Sequence, residues 1–140
     1  MTLDRAVLAE RTSAVERHLQ RVVVRLPDTP DVFQPASDAS DAVILHLWQA
    51  TQIVIDLAMA LCVESRLGTP ASYADAFRRL ADAGRIDADL AARLVRAAGF
   101  RNVVAHAYES LDMKRVHAAA THGPADLRAF MRQLAHLSAR

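Results

Sequence analysis

The most reactive side chains of this 140-residue sequence lie in one short segment of its C-terminal third. Arg101, Asn102, His106 and Tyr108 fall within eight residues. Arg101 can bind a phosphate through two parallel hydrogen bonds and stabilise charge on its oxygens. His106 can take a proton from a ribose 2′-hydroxyl or return one to a leaving oxygen, because histidine exchanges protons near neutral pH. This set predicts a phosphodiester-cleaving site.

The other two residues of the segment have supporting roles in this hypothesis. Asn102 could position the phosphate, the base or the histidine, and Tyr108 could donate a hydrogen bond or stack on a base. The structural alternative is an arginine in a surface pair, a histidine at a helix end and a tyrosine in the core. Side-chain types alone leave both interpretations open.

An unbroken helix would not direct the whole segment at one small ligand. At about 100° per residue Arg101 and Tyr108 lie on one face, whereas His106 lies about 140° from Arg101. We therefore expect one of three solutions: a distorted helix, an arginine that reaches round, or a second protomer that supplies its own copy of the segment.

A polar stripe on an otherwise apolar segment is the second candidate feature. Gln49, Gln52 and Asp56 lie within about 60° of one another on a helical wheel. Buried amides and carboxylates need hydrogen-bond partners, so the stripe must face a polar site, a subunit interface or other side chains. It could support Arg101 or His106, and the alternative is a hydrogen-bond network between helices.

The remaining candidates predict no metal site and no cofactor. His117 and His122 are five residues apart, without a cysteine or carboxylate at ligand spacing. Cys62 lies among apolar residues and is expected to pack in the core. Trp48 and Phe100 are interpreted as packing anchors. The sequence contains no glycine-rich phosphate loop.

Composition predicts an all-α fold in one domain, residues 1–140. The chain is 52% hydrophobic with only four glycines and five prolines, and its many alanines, leucines and arginines favour helix. Apolar periodicity and end signals predict an antiparallel up-and-down bundle with four long helices and additional short ones. The expected helices cover 3–26, 42–67, 72–83, 88–105, 113–120 and 124–138. We expect N-caps within Ser37–Asp41 and at Ser72, helix ends at Gly68 and Gly84, and a break at Gly123-Pro124.

The second of these helices is apolar enough to raise the question of a membrane span. Its segment AVILHLWQATQIVIDLAMALCV has 22 residues, and it contains His46 and Asp56 beside two glutamines. An acid at mid-span costs about 2.5–3.5 kcal/mol on insertion scales. We therefore predict a buried helix of a soluble bundle. A single cysteine and the lack of an N-terminal apolar run predict a cytoplasmic protein.

The net charge of +1 conceals an uneven distribution. The balance is +2 over residues 1–25, −5 over 26–95 and +4 over 96–140, and the last third also has four of the six histidines. A basic third can attract a polyanion even when the whole chain is nearly neutral. The alternative is a solvated helix face.

The spacing Arg101-x4-His106-x-Tyr108 resembles the R-x4-H-x-Y signature of the HepT-like branch of the HEPN superfamily. The segments DAVILHLWQATQIVIDLAMAL and SYADAFRRLADAGRIDADLAARLVRAAGFRNVVAHAY resemble the family's second helix and central block. The last helix resembles its C-terminal closure, so the resemblance covers about residues 3–138.

The resemblance implies a helical bundle that forms a homodimer, with the two motifs beside a shared cleft. It implies a metal-independent endoribonuclease that acts as the toxin of a toxin–antitoxin system and leaves a 2′,3′-cyclic phosphate. Arg101 and His106 match the catalytic pair, and Asn102 matches the polar residue that often follows the arginine. The implied partner, besides RNA, is a minimal nucleotidyltransferase (MNT) antitoxin that adenylylates Tyr108.

Two other classes of function remain open at this point. One is a non-catalytic HEPN regulatory subunit in which Arg101 and His106 bind a nucleotide or RNA without cleaving it. The other is a structural helical dimer whose motif only makes hydrogen bonds at the interface.

Overall fold

The computed structural model describes residues 4–138, and every regular element in that range is helical. The α-helices are α1 (Arg5–Arg25), α2 (Asp38–Glu64), α3 (Tyr73–Asp82), α4 (Ala88–Ala107) and α5 (Met113–Ser138). Short 3₁₀ turns precede α2 at Pro30–Val32 and follow α4 at Tyr108–Ser110. The predicted all-α class is confirmed. Residue 3, the predicted start of the first helix, lies outside the described residues.

Pairs of side-chain contacts show that neighbouring helices run antiparallel. Along α4, Asp87 bonds Gln133 and the later residue Arg93 bonds the earlier residue Asp126 of α5. The same reversal relates α1 to α5. There the Pro27 carbonyl lies 2.7 Å from His117 Nε2, and Glu16 forms an ion pair with Arg128.

Helix α2 is the centre of the bundle and contacts all four other helices. Its fully buried residues include Val43, Ala50, Val54, Ile55 and Leu61, so burial explains its apolar sequence. By length and composition α2 could cross a membrane, with a mean hydropathy of 1.4 in its most apolar window, but half of that window is buried inside the bundle. This burial agrees with the predicted core helix.

Side-chain caps explain where the helices begin and end. Ser37 and Ser40 form a reciprocal capping box at the start of α2. Gly84 ends α3 with φ of +72°, as its position in the sequence predicts. The predicted end of α2 at Gly68 is wrong, because Arg66 adopts the left-handed conformation (φ +59°) and the helix ends at Glu64.

The predicted break at Gly123-Pro124 is also wrong, because α5 continues through Pro124. Proline removes one backbone donor and costs about 3 kcal/mol in a helix interior. Packing offsets this cost, since Pro124 is itself buried and the helix beyond it fills the core. The buried residues that follow are Leu127, Phe130, Met131 and Leu134.

Candidate active site

Arg101 lies on α4 and reaches the middle of α2 with its guanidinium. Its Nε donates a 2.7 Å hydrogen bond to Gln52 Oε1, and Gln52 Nε2 donates a 2.8 Å bond to Asp56 Oδ1. The Asp56 carboxylate can only accept, so it fixes which end of the Gln52 amide faces Arg101. One residue of the polar stripe, Gln52, thus contacts the arginine, and a second, Asp56, holds Gln52 in place.

Two aromatic rings also contact the guanidinium. Its central carbon lies 5.0 Å from the ring centre of Trp48 on α2 and 5.3 Å from that of Tyr73 on α3. Both distances lie within the range of cation–π attraction. Arg101 is therefore restrained by two other helices before any ligand binds, and Trp48 contributes to the site as well as to packing.

The charge of Arg101 is not neutralised by a carboxylate. Within residues 4–138 no carboxylate forms an ion pair with Arg101, whereas Arg79, Arg93 and Arg128 each form one. Gln52 separates the guanidinium from Asp56, so the hydrogen bond is retained without an ion pair. A cation with this orientation can bind a phosphate, because its charge and part of its donor fork are available.

The two other predicted supporting residues are placed differently. Asn102 is exposed, and its Oδ1 accepts a 3.3 Å hydrogen bond from Nη1 of Arg101. Gln49 is half-buried one turn before Gln52, and its side chain forms no hydrogen bond to another described residue. Asn102 therefore lies at the solvent side of the arginine, whereas Gln49 does not take part in this network.

His106 is exposed in the last turn of α4, and its side chain has no hydrogen-bond partner among residues 4–138. Its neighbours on the same exposed side of the helix are Gly99 and Val103, the latter 51% exposed. A Cβ added at Gly99 would meet nothing within 4 Å. This side of α4 is thus exposed, and the two neighbours of the histidine there, Gly99 and Val103, are apolar.

Tyr108 follows the end of α4, where Ala107 leaves the helical conformation with φ of −140°. Its hydroxyl donates a 2.6 Å hydrogen bond to Oδ1 of Asp41 in the first turn of α2. That bond, with partial burial and the charge of Asp41, raises the pKa of Tyr108 to about 12. The phenol therefore keeps its proton at neutral pH.

The motif extends along α2 and does not converge within one protomer. Arg101 contacts Gln52 and Tyr108 contacts Asp41, eleven residues earlier, which corresponds to about 16 Å of helix. Arg101 and His106 both lie within the regular part of α4, and no contact joins them in the described chain. The helix end at Ala107 separates Tyr108 from the face of Arg101 but leaves the angle between Arg101 and His106 unchanged.

Four cavities among the described residues are lined by none of the predicted site residues, although one of about 390 Å³ is bordered by Val103 and Ser110 beside the motif. A cavity of about 630 Å³ between α2, α4 and α5 is lined by Phe100 among others, but by none of the predicted site residues. Within residues 4–138, no three His, Cys, Asp or Glu side chains are grouped so that they could hold a metal ion. The candidate site is an open surface.

Sequence reasoning missed three residues of the site: Asp41, Trp48 and Tyr73. Trp48 precedes Gln52 by four residues, so helical spacing places both on one face of α2 and could have indicated the contact. Asp41 and Tyr73 meet the motif only through packing of separate helices. No local pattern in the sequence predicts contacts of this kind.

The sequence is similar to those of known ribonucleases. The sequence matches the family described as Ribonuclease HepT-like over residues 15–134. It is 26% identical over 125 residues to the mRNA nuclease HepT of Shewanella oneidensis, covering 89% of this chain and 93% of that protein.

Solved structures agree in fold over nearly the whole chain. The tri-AMPylated Shewanella oneidensis HEPN toxin in complex with MNT antitoxin is similar with a TM-score of 0.85 and 25% identity, over 96% of this chain and 99% of that one. A toxin–antitoxin complex with AMP-PNP contains a chain similar with a TM-score of 0.82 and 24% identity, over 94% and 98%. The family match includes the segment from Arg101 to Tyr108. The chain belongs to the HepT-like ribonuclease family.

Proposed function

We propose that this chain is the toxin of a HEPN/MNT-type toxin–antitoxin system and that it cleaves RNA without a metal ion. The observation that carries the proposal is the guanidinium of Arg101, which no carboxylate of the described chain neutralises and which Gln52 of α2 orients. Arg101 lies on α4, the helix that also exposes His106. The similarity to an mRNA nuclease and to an AMPylated toxin bound to an MNT antitoxin supports it.

The mechanism uses one base and one cation. His106 takes the proton of a ribose 2′-hydroxyl, and the oxygen attacks the adjacent phosphorus. Arg101 binds the non-bridging oxygens and stabilises their growing charge. The 5′-oxygen leaves and takes up a proton, which gives a 2′,3′-cyclic phosphate and a 5′-hydroxyl end.

We propose that two copies complete the cleft. Arg101 and His106 diverge on α4, so one protomer does not direct both at a single phosphate. The open side of α4 around Gly99 and Val103 suits close packing against a second α4. Glycine inside a helix costs about 1 kcal/mol relative to alanine, and no neighbour within the protomer requires it.

Tyr108 is the residue that we propose the antitoxin adenylylates. It is 45% exposed and lies beyond the end of α4, where a second protein can reach its hydroxyl. The attached group would add bulk and a negative phosphate within two residues of His106, so it would exclude and repel RNA.

Cleavage of RNA in EDTA tests the proposal. The unmodified chain should cleave and leave cyclic phosphate ends, and His106→Ala should lose activity by about 10²–10⁴-fold. His122→Ala is the matched control, because His122 is also an exposed helical histidine but lies on α5. Cleavage that depends on an added divalent metal would contradict the proposed mechanism.

A further inference from the structure

The hydrogen bond between Tyr108 and Asp41 has no role in the proposed RNA cleavage. It joins the phenol oxygen to a carboxylate oxygen over 2.6 Å, and both side chains are exposed. From this geometry we infer that Asp41 is the general base for nucleotidyl transfer to Tyr108. The inference rests on the proposed adenylylation of that tyrosine.

A phenol at this position needs a base to become a nucleophile. With the pKa of Tyr108 raised to about 12, only about one molecule in 10⁵ carries the phenoxide at pH 7. Attack must therefore be coupled to removal of the proton. Asp41 Oδ1 already accepts the hydrogen bond of that proton, so no rearrangement is required.

The step balances with a nucleoside triphosphate as the second reactant. The Tyr108 oxygen attacks the α-phosphorus of ATP and forms the new O–P bond. The phenolic O–H bond breaks and its proton passes to the Asp41 carboxylate. The bond from the α-phosphorus to its bridging oxygen breaks, and pyrophosphate leaves with the electron pair. Asp41 then releases its proton to solvent, to which it is exposed.

The fold places this carboxylate on a fixed support. Asp41 lies in the first turn of α2, directly after the capping box formed by Ser37 and Ser40. Glu109 also raises the pKa of Tyr108 through its charge, but only Asp41 accepts the hydroxyl proton in a hydrogen bond. Asp38 lies in the same first turn, is exposed, and makes no contact with Tyr108.

The experiment compares Asp41→Asn with Asp38→Asn as the matched control. Each purified chain is mixed with ATP and either the Shewanella oneidensis MNT antitoxin or, where a neighbouring reading frame encodes a minimal nucleotidyltransferase, that enzyme. Mass spectrometry of the Tyr108 peptide follows the rate of AMP addition. Asparagine still accepts the hydrogen bond but takes no proton, so we expect a loss of about 10²–10⁴-fold at pH 7. Asp38→Asn should react at the unmodified rate.

The dependence on pH separates a base from a merely structural contact. Removing the Asp41 charge lowers the pKa of Tyr108 towards its ordinary value of about 10. Between pH 7 and 9 the rate of Asp41→Asn should rise about tenfold per pH unit relative to that of the unmodified chain, because only the phenoxide then reacts. A structural contact predicts parallel profiles. Thermal melting checks that each variant folds. If Asp41→Asn does not fold, Asp41→Ser is used in its place.

The failures of the two proposals are distinguishable. If the unmodified chain gains AMP at Tyr108 and Asp41→Asn gains it equally fast or faster, Asp41 is not the base and the further inference is overturned. If the unmodified chain gains no AMP with either enzyme, or gains it only elsewhere, the proposed modification of Tyr108 is itself wrong. A slow Asp41→Asn reaction with a profile parallel to that of the unmodified chain also overturns the base assignment.

Discussion

The two ends of the motif are supported in opposite ways. Arg101 is half-buried and is restrained by Gln52, Trp48 and Tyr73 from two other helices. Tyr108 lies beyond the helix end, is 45% exposed, and is tied to the bundle by one hydrogen bond to Asp41. The first end has the features of a preorganised phosphate receptor. The second has those of a residue that another protein can reach.

Under the proposed function, this contrast separates phosphate binding from regulation within eight residues. Preorganised donors stabilise transition-state charge without rearranging during the reaction. A modification site must instead enter the active site of a second enzyme, which requires exposure. His106 lies between the two ends on the open face of α4, where neither support reaches it.

The largest expected effect comes from removing the cation. Arg101→Ala should lower RNA cleavage by about 10³-fold, because the phosphate loses its charge partner. Arg101→Lys should lose somewhat less, since lysine keeps the charge but not the donor fork. Single-turnover cleavage assays measure both. Arg132→Ala, an exposed arginine of α5, is the control and should change the rate less than about threefold. Equal losses of cleavage rate in Arg101→Ala and Arg132→Ala would contradict a specific role of Arg101 in cleavage.

An intermediate effect is expected when a contact that orients Arg101 is removed but the arginine itself is kept. Gln52→Ala removes the hydrogen bond to Nε of Arg101 and should lower cleavage about tenfold, through misplacement of the guanidinium. Gln49→Ala is the matched control, because Gln49 lies one turn earlier and its side chain forms no hydrogen bond to a described residue. If both variants cleave at the unmodified rate, the restraint on Arg101 is irrelevant to catalysis.

The smallest effect concerns stability at the exposed end. Folding raises the pKa of Tyr108. The contribution of its hydrogen bond to the free energy of unfolding is therefore present below pH about 10 and is lost as the pH rises through about 12. Tyr108→Phe should therefore lower the free energy of unfolding by less than about 1 kcal/mol at pH 7, since solvent screens the bond. Urea unfolding at pH 7 measures this difference. A loss of several kcal/mol would mean that Tyr108 is a structural residue and not an accessible one.

Local signals in the sequence predict much of the fold. Ser37, Ser72 and Gly84 mark helix ends correctly, because caps act within one turn of the chain. Pro124 misleads, since its effect depends on the packing energy of the helix beyond it. The end of α2 is predicted wrongly for a related reason. Arg66, which is not a glycine, adopts the left-handed conformation that Gly68 was expected to supply.

The candidate site is less visible than the fold in the sequence. The wheel places Gln52 and Asp56 together because they share one helix, and they do bond each other. The rings that restrain Arg101 and the carboxylate that binds Tyr108 depend on how α2, α3 and α4 pack. Tyr73 illustrates this, because it contacts Arg101 from a separate short helix.

Mixing two inactive variants tests the central claim most directly, namely that Arg101 and His106 of different copies act on one phosphate. Arg101→Ala and His106→Ala are combined, allowed to exchange subunits, and assayed for RNA cleavage in EDTA. A shared cleft predicts recovery of about one quarter of the unmodified activity, because half of the dimers are mixed and each has one intact pairing. A mixture that exchanges subunits and stays as inactive as either variant alone would contradict the shared cleft.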